Sequence, residues 1–519
     1  MASSPNGPVR ARLVLTVAEM LVLGCALGAG YLVQYRTQRR LFVNGLPTPD
    51  PYAFPRPGAD VIAGTEALRS YWVAGSLVVV LFVWALVRSR EMGWRRLAWL
   101  PLGIGGLGHL LAIPAMPSLS IDALSYLSHG WLAAEPGWNP YLNASADVAG
   151  VPYGQLLLAE GWLPVHGPSP YGPLWTHVER FASLFGAGQV GGGLLALKVV
   201  VVLAVLSGAL VIWLIVRRVR PGWELTATLA YLWNPVVVVE FSMDGHNDAL
   251  VIALALSGVW AAVTNRAFWA VIGLGLGASV KFPPLFFALP VLVLLIRRGG
   301  PRLSLLGRLA AGLGVVAVLT VLLYRPFWAG SATFDGLREG SVPLPSWSPA
   351  GWFSAVLLDP LTGLPDPRLP LLLTGVLVAA VLAVGWPRTD GDLLVACGVI
   401  AVVWLTIAPA YWPWYAAMPI AVLAARGGWV ATLQLLALTL GSRLAAPFGD
   451  MFVLGMMPFE RAMELSTLWG VDLPVLVCLL LAVSGVAVGR RRAGTSVAAP
   501  RAVPDRLPPG DAQARSAAS

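Results

Sequence analysis

The chain has 519 residues, of which 57% are hydrophobic and only 12% are charged. This composition excludes a soluble globular protein, whose surface would need more charge, and predicts a polytopic membrane protein. The formal net charge is +9, but the arginines lie in short connectors and not along one amphipathic face. The charge therefore reports membrane orientation and does not indicate nucleic-acid binding.

A membrane-spanning helix needs roughly 20 apolar residues, and stretches of about that length recur along the whole sequence. The clearer ones are 13–33, 71–87, 97–116, 191–216, 224–241, 249–264, 304–324, 368–386, 392–409, 429–446 and 471–489. Shorter stretches at 267–280, 283–296 and 412–425 predict half-length or tilted passes. The sequence therefore predicts an all-α fold with about 14 transmembrane helices.

Arginine clusters between the apolar stretches predict the orientation, because positively charged loops are retained in the cytoplasm. The clusters on the predicted inner side are Arg88, Arg90, Arg95 and Arg96; Arg217, Arg218 and Arg220; Arg297, Arg298 and Arg302; and Arg490, Arg491 and Arg492. Both termini are then expected inside. A further cluster, Arg36, Arg39 and Arg40, falls outside and contradicts this scheme. The outer side carries the long loops 117–190, 325–367 and 447–470, where we expect the chemistry.

The first outer loop holds a carboxylate at the boundary between membrane and water. If the chain is helical after Ser120, then Asp122, Tyr126 and His129 share one face, which could hold a hydroxyl of a substrate. Asp122 is a candidate catalytic base, and Asn139, Tyr141 and Tyr171 follow it in the same loop as candidate substrate-binding residues. Helix capping by Ser120 or Asp122 is an equally good explanation of the carboxylate.

A second polar group interrupts two strongly apolar segments, between Glu240 and Asp248. Ionisable residues at membrane depth usually mark a site or a pathway, so Asp244, His246 and Asp248 are candidates for positioning a substrate. The same oxygen ligands could hold a divalent cation. A third possibility is that Asn247 or Asp248 caps the next helix while Gly245 makes the turn.

Lys281 and Lys198 are the only lysines in the chain. Lys281 ends an apolar segment, where it could bind a phosphate together with Arg325, although snorkelling to the interface would also explain it. Lys198 is expected to snorkel. Trp412 and Trp414 flank Pro413 and could present aromatic faces to a sugar ring or an isoprenoid, but aromatic belts are normal at membrane interfaces.

These motifs form an ordered series along the chain: Asp122, Asn139-Pro140-Tyr141, Tyr171-Gly172-Pro173-Leu174, Gly245-His246-Asn247-Asp248, Lys281 before Phe282-Pro283-Pro284, and Pro413-Trp414-Tyr415. The series resembles the GT-C class of integral-membrane glycosyltransferases. It is most similar to the bacterial polyprenol-phosphate-mannose-dependent alpha-1,6-mannosyltransferases of actinobacterial lipoglycan synthesis.

The resemblance implies a GT-C membrane core over residues 71–446, with large outer loops that carry short helices. An N-terminal helix and outer loop (1–70) would precede this core. An outer loop with the last helix (447–489) and a disordered cytoplasmic tail (490–519) would follow it. The chain would lie in the plasma membrane as a multi-pass protein, with its active site facing outside.

The resemblance also implies transfer of a sugar, first of all mannose, from a polyprenyl-phosphate donor to a glycan or glycolipid acceptor, with inversion at the anomeric carbon. Asp122 stands at the position of the family's catalytic base. Many relatives have a pair of acidic residues there, whereas Ile121 precedes Asp122 in this chain; this favours a site without a metal, and a divalent cation remains an alternative.

Two other classes remain open from the sequence. A transporter or flippase for a lipid-linked sugar would also have many helices, although repeated halves are expected in such folds and none is visible here. A non-catalytic assembly scaffold would have no need of Asp122. Sugar transfer by the purified protein would separate these classes. The acceptor, the linkage and the identity of the sugar are not encoded in motifs that recognise a phosphate and a lipid.

Overall fold

The computed structural model describes residues 7–43, 61–118, 120–299, 301–340, 348–353, 387–453 and 455–496, and the single residues 356 and 375. Every regular element in these ranges is helical. Seven of the described helices are long and apolar enough to cross a membrane, or eight if one bent pair is a single span. The chain is an all-α polytopic membrane protein, as the sequence predicts. The count of about 14 stays a prediction, and the predicted span 368–386 lies almost entirely outside the described residues.

The described residues of the first half of the chain form ten α-helices. They are α1 (Gly7–Val43), α2 (Val61–Arg88), α3 (Met92–Arg96), α4 (Trp99–Ala112), α5 (Asp122–Ala134), α6 (Pro152–Ala159), α7 (Pro173–Gly186), α8 (Val190–Val219), α9 (Glu224–Leu232) and α10 (Asp248–Val263). A 3₁₀ turn lies at Ser145–Gly150 and a π-helix at Val237–Met243. Helix α5 packs on α7, and α8 packs on α7, α9 and α10. The first outer loop is thus folded against the membrane core.

The second half continues the bundle. Its α-helices are α11 (Ala267–Ala278), α12 (Ala288–Arg297), α13 (Arg302–Tyr324), α14 (Asp335–Glu339), α15 (Pro349–Phe353), α16 (Asp390–Ile407), α17 (Ala417–Arg426), α18 (Trp429–Ala445), α19 (Pro447–Val453), α20 (Phe459–Thr467) and α21 (Leu473–Ser496). Short 3₁₀ turns occur at Pro283–Phe287, Arg325–Phe327, Gly330–Phe334 and Pro413–Ala416, and a π-helix at Leu468–Asp472. Helix α21 passes the predicted boundary at 489, and residues 497–519 of the predicted tail lie outside the described ranges.

The predicted span 224–241 is broken in the middle. Helix α9 and the π-helix that follows it are bent by 53°, at Asn234 and Pro235. Proline has no N–H to donate and disfavours the helical conformation of the residue before it. The side chain of Asn234 supports the break, because its amide donates to the carbonyl of Ala230 and to Thr439 and its oxygen accepts from the N–H of Val236. The bend aims the end of this span at the first outer loop.

The two ends of the bundle carry different contacts. At one end the arginines of the short connectors are held by the protein itself: Arg90 donates to the carbonyl of Gly222, and Arg218 and Arg298 share Asp390. At the other end Arg39, on the last turns of α1, donates to Glu160 and to the carbonyl of Pro117. The arginine cluster that contradicts the positive-inside pattern therefore includes a residue that fastens α1 to the first outer loop.

Lys198 does not snorkel, and the expectation for it is wrong. Its side chain on α8 is completely buried, and its ammonium donates to the carbonyls of Ala112 and Ala115 at 2.9 and 2.5 Å. Ala112 is the last residue of α4, where a helix leaves its last C=O groups without partners inside the helix, and Ala115 lies three residues beyond it. Lys198 therefore stabilises the point at which the chain enters the first outer loop.

We expect Lys198→Met to destabilise the protein by about 2–3 kcal/mol, because two buried carbonyls lose charge-assisted hydrogen bonds. The midpoint of thermal unfolding in detergent should fall. Arg308→Met is a control, since Arg308 is exposed and donates hydrogen bonds to Ser304 of its own helix. An unchanged midpoint in Lys198→Met would show that these carbonyls find other donors.

Candidate active site

Asp122 is the first residue of α5, but its side chain does not cap that helix. The hydroxyl of Ser120 accepts a hydrogen bond from the N–H of Asp122 at 3.1 Å. The carboxylate instead faces His246 Nδ1 at 3.4 Å and His166 Nε2 at 4.0 Å. The phenol of Tyr126 donates to it at 3.5 Å. The Asp122 side chain therefore makes no capping hydrogen bond, and its carboxylate is available for other chemistry.

His246 lies in the turn between the π-helix and α10, and the turn depends on Gly245. Gly245 has a φ of +83°, a left-handed conformation that glycine adopts without strain. The imidazole of His246 is fully buried, with Nδ1 toward Asp122 and Nε2 at 3.5 Å from Glu240. Burial acts to lower the pKa of His246, but the two carboxylates outweigh it and raise the pKa to about 9. His246 is therefore an imidazolium at neutral pH.

The second neighbour of His246, Glu240, is paired in turn. One oxygen of Glu240 faces His246, and the other accepts a hydrogen bond from the guanidinium of Arg443 on α18. Both side chains are almost completely buried, at 1% and 4% exposed. Asp122, His246, Glu240 and Arg443 thus form a row of alternating charges that runs from the first outer loop to the second half of the chain.

The electrostatics of Asp122 follow from these neighbours. Burial acts to raise its pKa, but the hydrogen bond and charge of His246, with smaller contributions from His166 and Lys281, lower the pKa to about 2. The carboxylate is 13% exposed. At neutral pH it is ionised, partly accessible and held in one orientation, which is the protonation state that a general base requires.

Lys281 lies close to the same carboxylate, with a partner of its own. Its ammonium is 3.1 and 3.3 Å from the two oxygens of Asp248, the first residue of α10. The ammonium also lies 4.8 Å from the ring centroid of Tyr415 and 5.9 Å from that of Tyr171. Burial acts to lower the pKa of Lys281, but Asp248 above all raises it. Lys281 is therefore a partly accessible cation flanked by two tyrosine rings.

Tyr171 is brought to Lys281 by backbone hydrogen bonds between distant segments. The N–H of Gly172 donates to the carbonyl of Val280 at 3.0 Å, and that of Leu174 donates to the carbonyl of Ser279 at 2.9 Å. A side chain at Gly172 would collide with the Ser279 carbonyl, because a Cβ there would lie 2.3 Å from its oxygen. The Tyr-Gly-Pro-Leu motif therefore has a structural explanation: it docks the outer loop onto the turn that carries Lys281.

The aromatic motif near residue 412 covers the other face of His246. The rings of His246 and Trp414 are stacked with their centroids 3.8 Å apart, and Trp414 is stacked on Trp412 at 5.3 Å. The 3₁₀ turn Pro413–Ala416 aligns these rings. An imidazolium over an indole face is a favourable cation–π arrangement, so the tryptophans hold the charged histidine in place.

Several predicted site residues lie away from this cluster, and their roles in binding stay predictions. The amide of Asn139 donates to the carbonyl of Phe327, and the phenol of Tyr141 is bonded to Thr176. Asp244 accepts from the N–H of Ser118 at 2.5 Å. His129 lies 3.8 Å from Glu179. Arg325 is exposed at the end of α13.

The sequence did not single out His166 or Arg443, and it indicated Tyr415 only as part of the Pro413-Trp414-Tyr415 motif. No motif surrounds His166. Arg443 had a signal, because it is a cation within the apolar stretch 429–446 and such residues usually have a function or a buried partner. Among the residues that the structure describes, no group of three or more His, Cys, Asp or Glu side chains could hold a metal ion.

Comparison with known proteins locates the similarity on this site. A family model described as the N-terminal domain of alpha-(1->6)-mannopyranosyltransferase matches residues 109–298. That segment contains Asp122, His166, Glu240, His246 and Lys281. The tryptophans at 412 and 414 and Arg443 lie beyond it.

Three relatives have related names. Alpha-(1->6)-mannopyranosyltransferase A of Mycobacterium tuberculosis is 27% identical over 335 residues, 60% of this chain and 62% of the relative. Alpha-(1->6)-mannopyranosyltransferases A and B of Corynebacterium glutamicum are 26% and 27% identical over 43% and 28% of this chain, and 47% and 23% of the relatives. The chain thus spans less than two thirds of the length of each. The resemblance predicted from the motifs is confirmed: the chain is similar to the membrane-embedded GT-C alpha-1,6-mannosyltransferases.

Proposed function

We propose that the chain is a glycosyltransferase that transfers mannose from a polyprenyl-phosphate donor to a hydroxyl of a glycan or glycolipid acceptor, with inversion of the anomeric carbon. The observation that carries the proposal is the Asp122 carboxylate, ionised and held between two histidines beside the cation Lys281. Mannose is the first candidate because the relatives are named mannopyranosyltransferases.

Asp122 is the best candidate for the base because the other carboxylates of the cluster are occupied. Glu240 is bonded to Arg443 and is 1% exposed, and Asp248 is bonded to Lys281. Asp122 is bonded to neither a lysine nor an arginine: its oxygens face two histidines and a phenol, and its side chain is 13% exposed. A single carboxylate suits an inverting reaction, in which one base deprotonates the acceptor and no covalent sugar intermediate forms.

The donor side is assigned to Lys281. An ammonium has three N–H donors, and two of them can serve Asp248, which leaves one for a phosphate oxygen. Tyr171 and Tyr415 flank the cation and give the site apolar walls. The isoprenoid tail would remain in the bilayer, where only 6% of the residues in the apolar stretch of α13 are buried within the protein.

The proposed step is a single displacement. The acceptor hydroxyl oxygen attacks the anomeric carbon and forms the new C–O bond while its proton moves to Asp122. The bond from the anomeric carbon to the phosphate oxygen breaks at the same time, and polyprenyl phosphate leaves with the electron pair. The positive charge of Lys281 stabilises the negative charge that develops on this phosphate.

The location of the site supports a reaction at the outer face. The arginine-rich connectors lie at one end of the bundle, and the loop that carries Asp122 lies at the other, where Arg39 holds it to α1. Positive loops are retained in the cytoplasm, so we expect the loop that carries Asp122 to lie outside the plasma membrane. The acceptor would arrive from water and the donor from the outer leaflet.

Asp122→Asn should abolish transfer without unfolding the protein, because asparagine preserves the shape of the side chain but cannot accept a proton. General-base loss typically costs about 100- to 10,000-fold in rate. The measurement is transfer from a polyprenyl-phosphate mannose to an octyl α-mannoside in detergent. Asp147→Asn is the matched control, since Asp147 is exposed in the same loop and bonded only to the N–H of Ala144. Near-normal transfer by Asp122→Asn would remove Asp122 as the base.

Lys281→Met should weaken use of the donor about ten- to a hundredfold, because one charge-assisted contact is worth on the order of 1.5–3 kcal/mol. The donor KM and kcat/KM should change while the acceptor KM stays the same. Arg325→Met tests whether the predicted second cation contributes. Arg338→Met is the control, since Arg338 is exposed and paired with Asp335. Unchanged donor kinetics in Lys281→Met would show that Lys281 does not bind the donor phosphate.

The transfer rate should fall as the pH rises through about 9, the pKa of His246. A neutral imidazole has one N–H, so it can no longer donate to both Asp122 and Glu240, and Asp122 loses its orientation. The raised pKa of His246 also stabilises the folded protein. This contribution is fully present below about pH 6.5, the usual pKa of a histidine, and it is lost as the pH rises through about 9. A rate that stays level to pH 10, in protein that remains folded, would contradict the charged state of His246.

A further inference from the structure

A pair of deeply buried, oppositely charged side chains, Glu240 and Arg443, lies behind the proposed base. Glu240 and Arg443 are 1% and 4% exposed, and His246 is completely buried. Ionised groups at such depth are costly and are retained when they serve a site. A role in stability alone would not require that this pair point at the histidine that faces Asp122.

The geometry connects the pair to the base through one ring. Asp122 Oδ2 lies 3.4 Å from Nδ1 of His246, and Glu240 Oε2 lies 3.5 Å from Nε2 on the opposite side of the same imidazole. Stacking on Trp414 at 3.8 Å prevents the ring from tilting out of this line. A change of charge at Glu240 must therefore act on His246, and through His246 on Asp122.

Arg443 partly neutralises the charge of Glu240 and so limits how strongly Glu240 acts on His246. Its guanidinium donates to the oxygen of Glu240 that does not face His246. Other polar groups near Arg443 are the phenols of Tyr31, Tyr71 and Tyr411. Glu240 is the one carboxylate among the described neighbours of Arg443. The groups that face His246 are Asp122, Glu240 and the indole of Trp414.

We propose that Glu240 and Arg443 are positioning residues of the active site: together they fix the charge and orientation of His246, which holds Asp122 in its reactive orientation. This inference rests on the proposed function of Asp122. It assigns a functional role to a residue of α18, outside the segment 109–298 that matches the family model. Removal of the charge of Glu240 and removal of the charge of Arg443 should shift the pH dependence of transfer in opposite directions.

The test is the pH dependence of mannose transfer. The fall of the rate at high pH, here called the alkaline limb, is assigned to His246 if the variant His246→Gln lacks it. Glu240→Gln removes an anion from His246 and should move the limb down by about one to two pH units. Arg443→Met leaves Glu240 unneutralised and should move the limb up. Opposite shifts cannot arise from a general loss of packing. Arg443→Lys keeps the charge and should keep the limb near pH 9.

Glu179→Gln is the matched control. Glu179 is also a completely buried carboxylate beside a histidine, His129 at 3.8 Å, but it does not face His246. The alkaline limb of Glu179→Gln should coincide with that of the unaltered protein. Because a single substitution leaves one buried charge unpaired and could prevent folding, the double variant Glu240→Gln/Arg443→Met is included. It removes both charges and should show the downward shift of Glu240→Gln.

The outcomes separate the two proposals. If Asp122→Asn transfers sugar normally, Asp122 is not the base, irrespective of the pH at which the rate falls. If Asp122→Asn is inactive and the unaltered protein has the limb, but Glu240→Gln and the double variant leave it in place, Glu240 and Arg443 are structural and the present inference fails. Shifts of the same sign in Glu240→Gln and Arg443→Met would overturn it as well.

Discussion

The candidate site depends on one interaction, a protonated histidine between two carboxylates at the edge of the membrane core. Each of these charges would be unfavourable there alone, since burial disfavours the charged form. Along the row in space the charges alternate, so every carboxylate faces a cation and every cation faces a carboxylate: Asp122, His246, Glu240 and Arg443. The row stabilises the ionised form of Asp122, because the pKa of His246 is raised to about 9 and that of Asp122 is lowered to about 2.

The backbone makes this row possible by interrupting a membrane span. A continuous α-helix from Glu224 would carry Glu240 onward along the same axis. The break at Pro235 and the 53° bend redirect the chain, and the π-helix Val237–Met243 adds a residue per turn before the turn at Gly245. Both devices are common at functional sites in helices. Helix irregularity at this depth is tolerated because it is buried in protein and its polar groups find partners there.

The first outer loop is a fixed part of the fold because the membrane core fastens it at separate points. Lys198 stabilises the end of α4, Arg39 holds Glu160, and Gly172 and Leu174 dock onto the carbonyls of Val280 and Ser279. These contacts join segments that are far apart in the chain. They hold Asp122, Tyr171 and Lys281 in one place before any substrate binds, which is the preorganisation that electrostatic catalysis requires.

The sequence by itself determined the class of protein, the positions of many apolar helices and the candidate base. Composition and the length of apolar runs are sufficient for the first two, because a bilayer requires continuous apolar segments whatever their partners. The start of a helix at Asp122 and the turn at Gly245 follow from local chemistry, and the order of the motifs carried the family resemblance. Only the tertiary structure decided that the Asp122 carboxylate faces His246, that Lys198 is buried, and that His166 and Arg443 join the site. Those outcomes depend on contacts between residues tens to hundreds of positions apart, such as Glu240 with Arg443, and no local pattern encodes which distant helix will supply the partner of a buried charge.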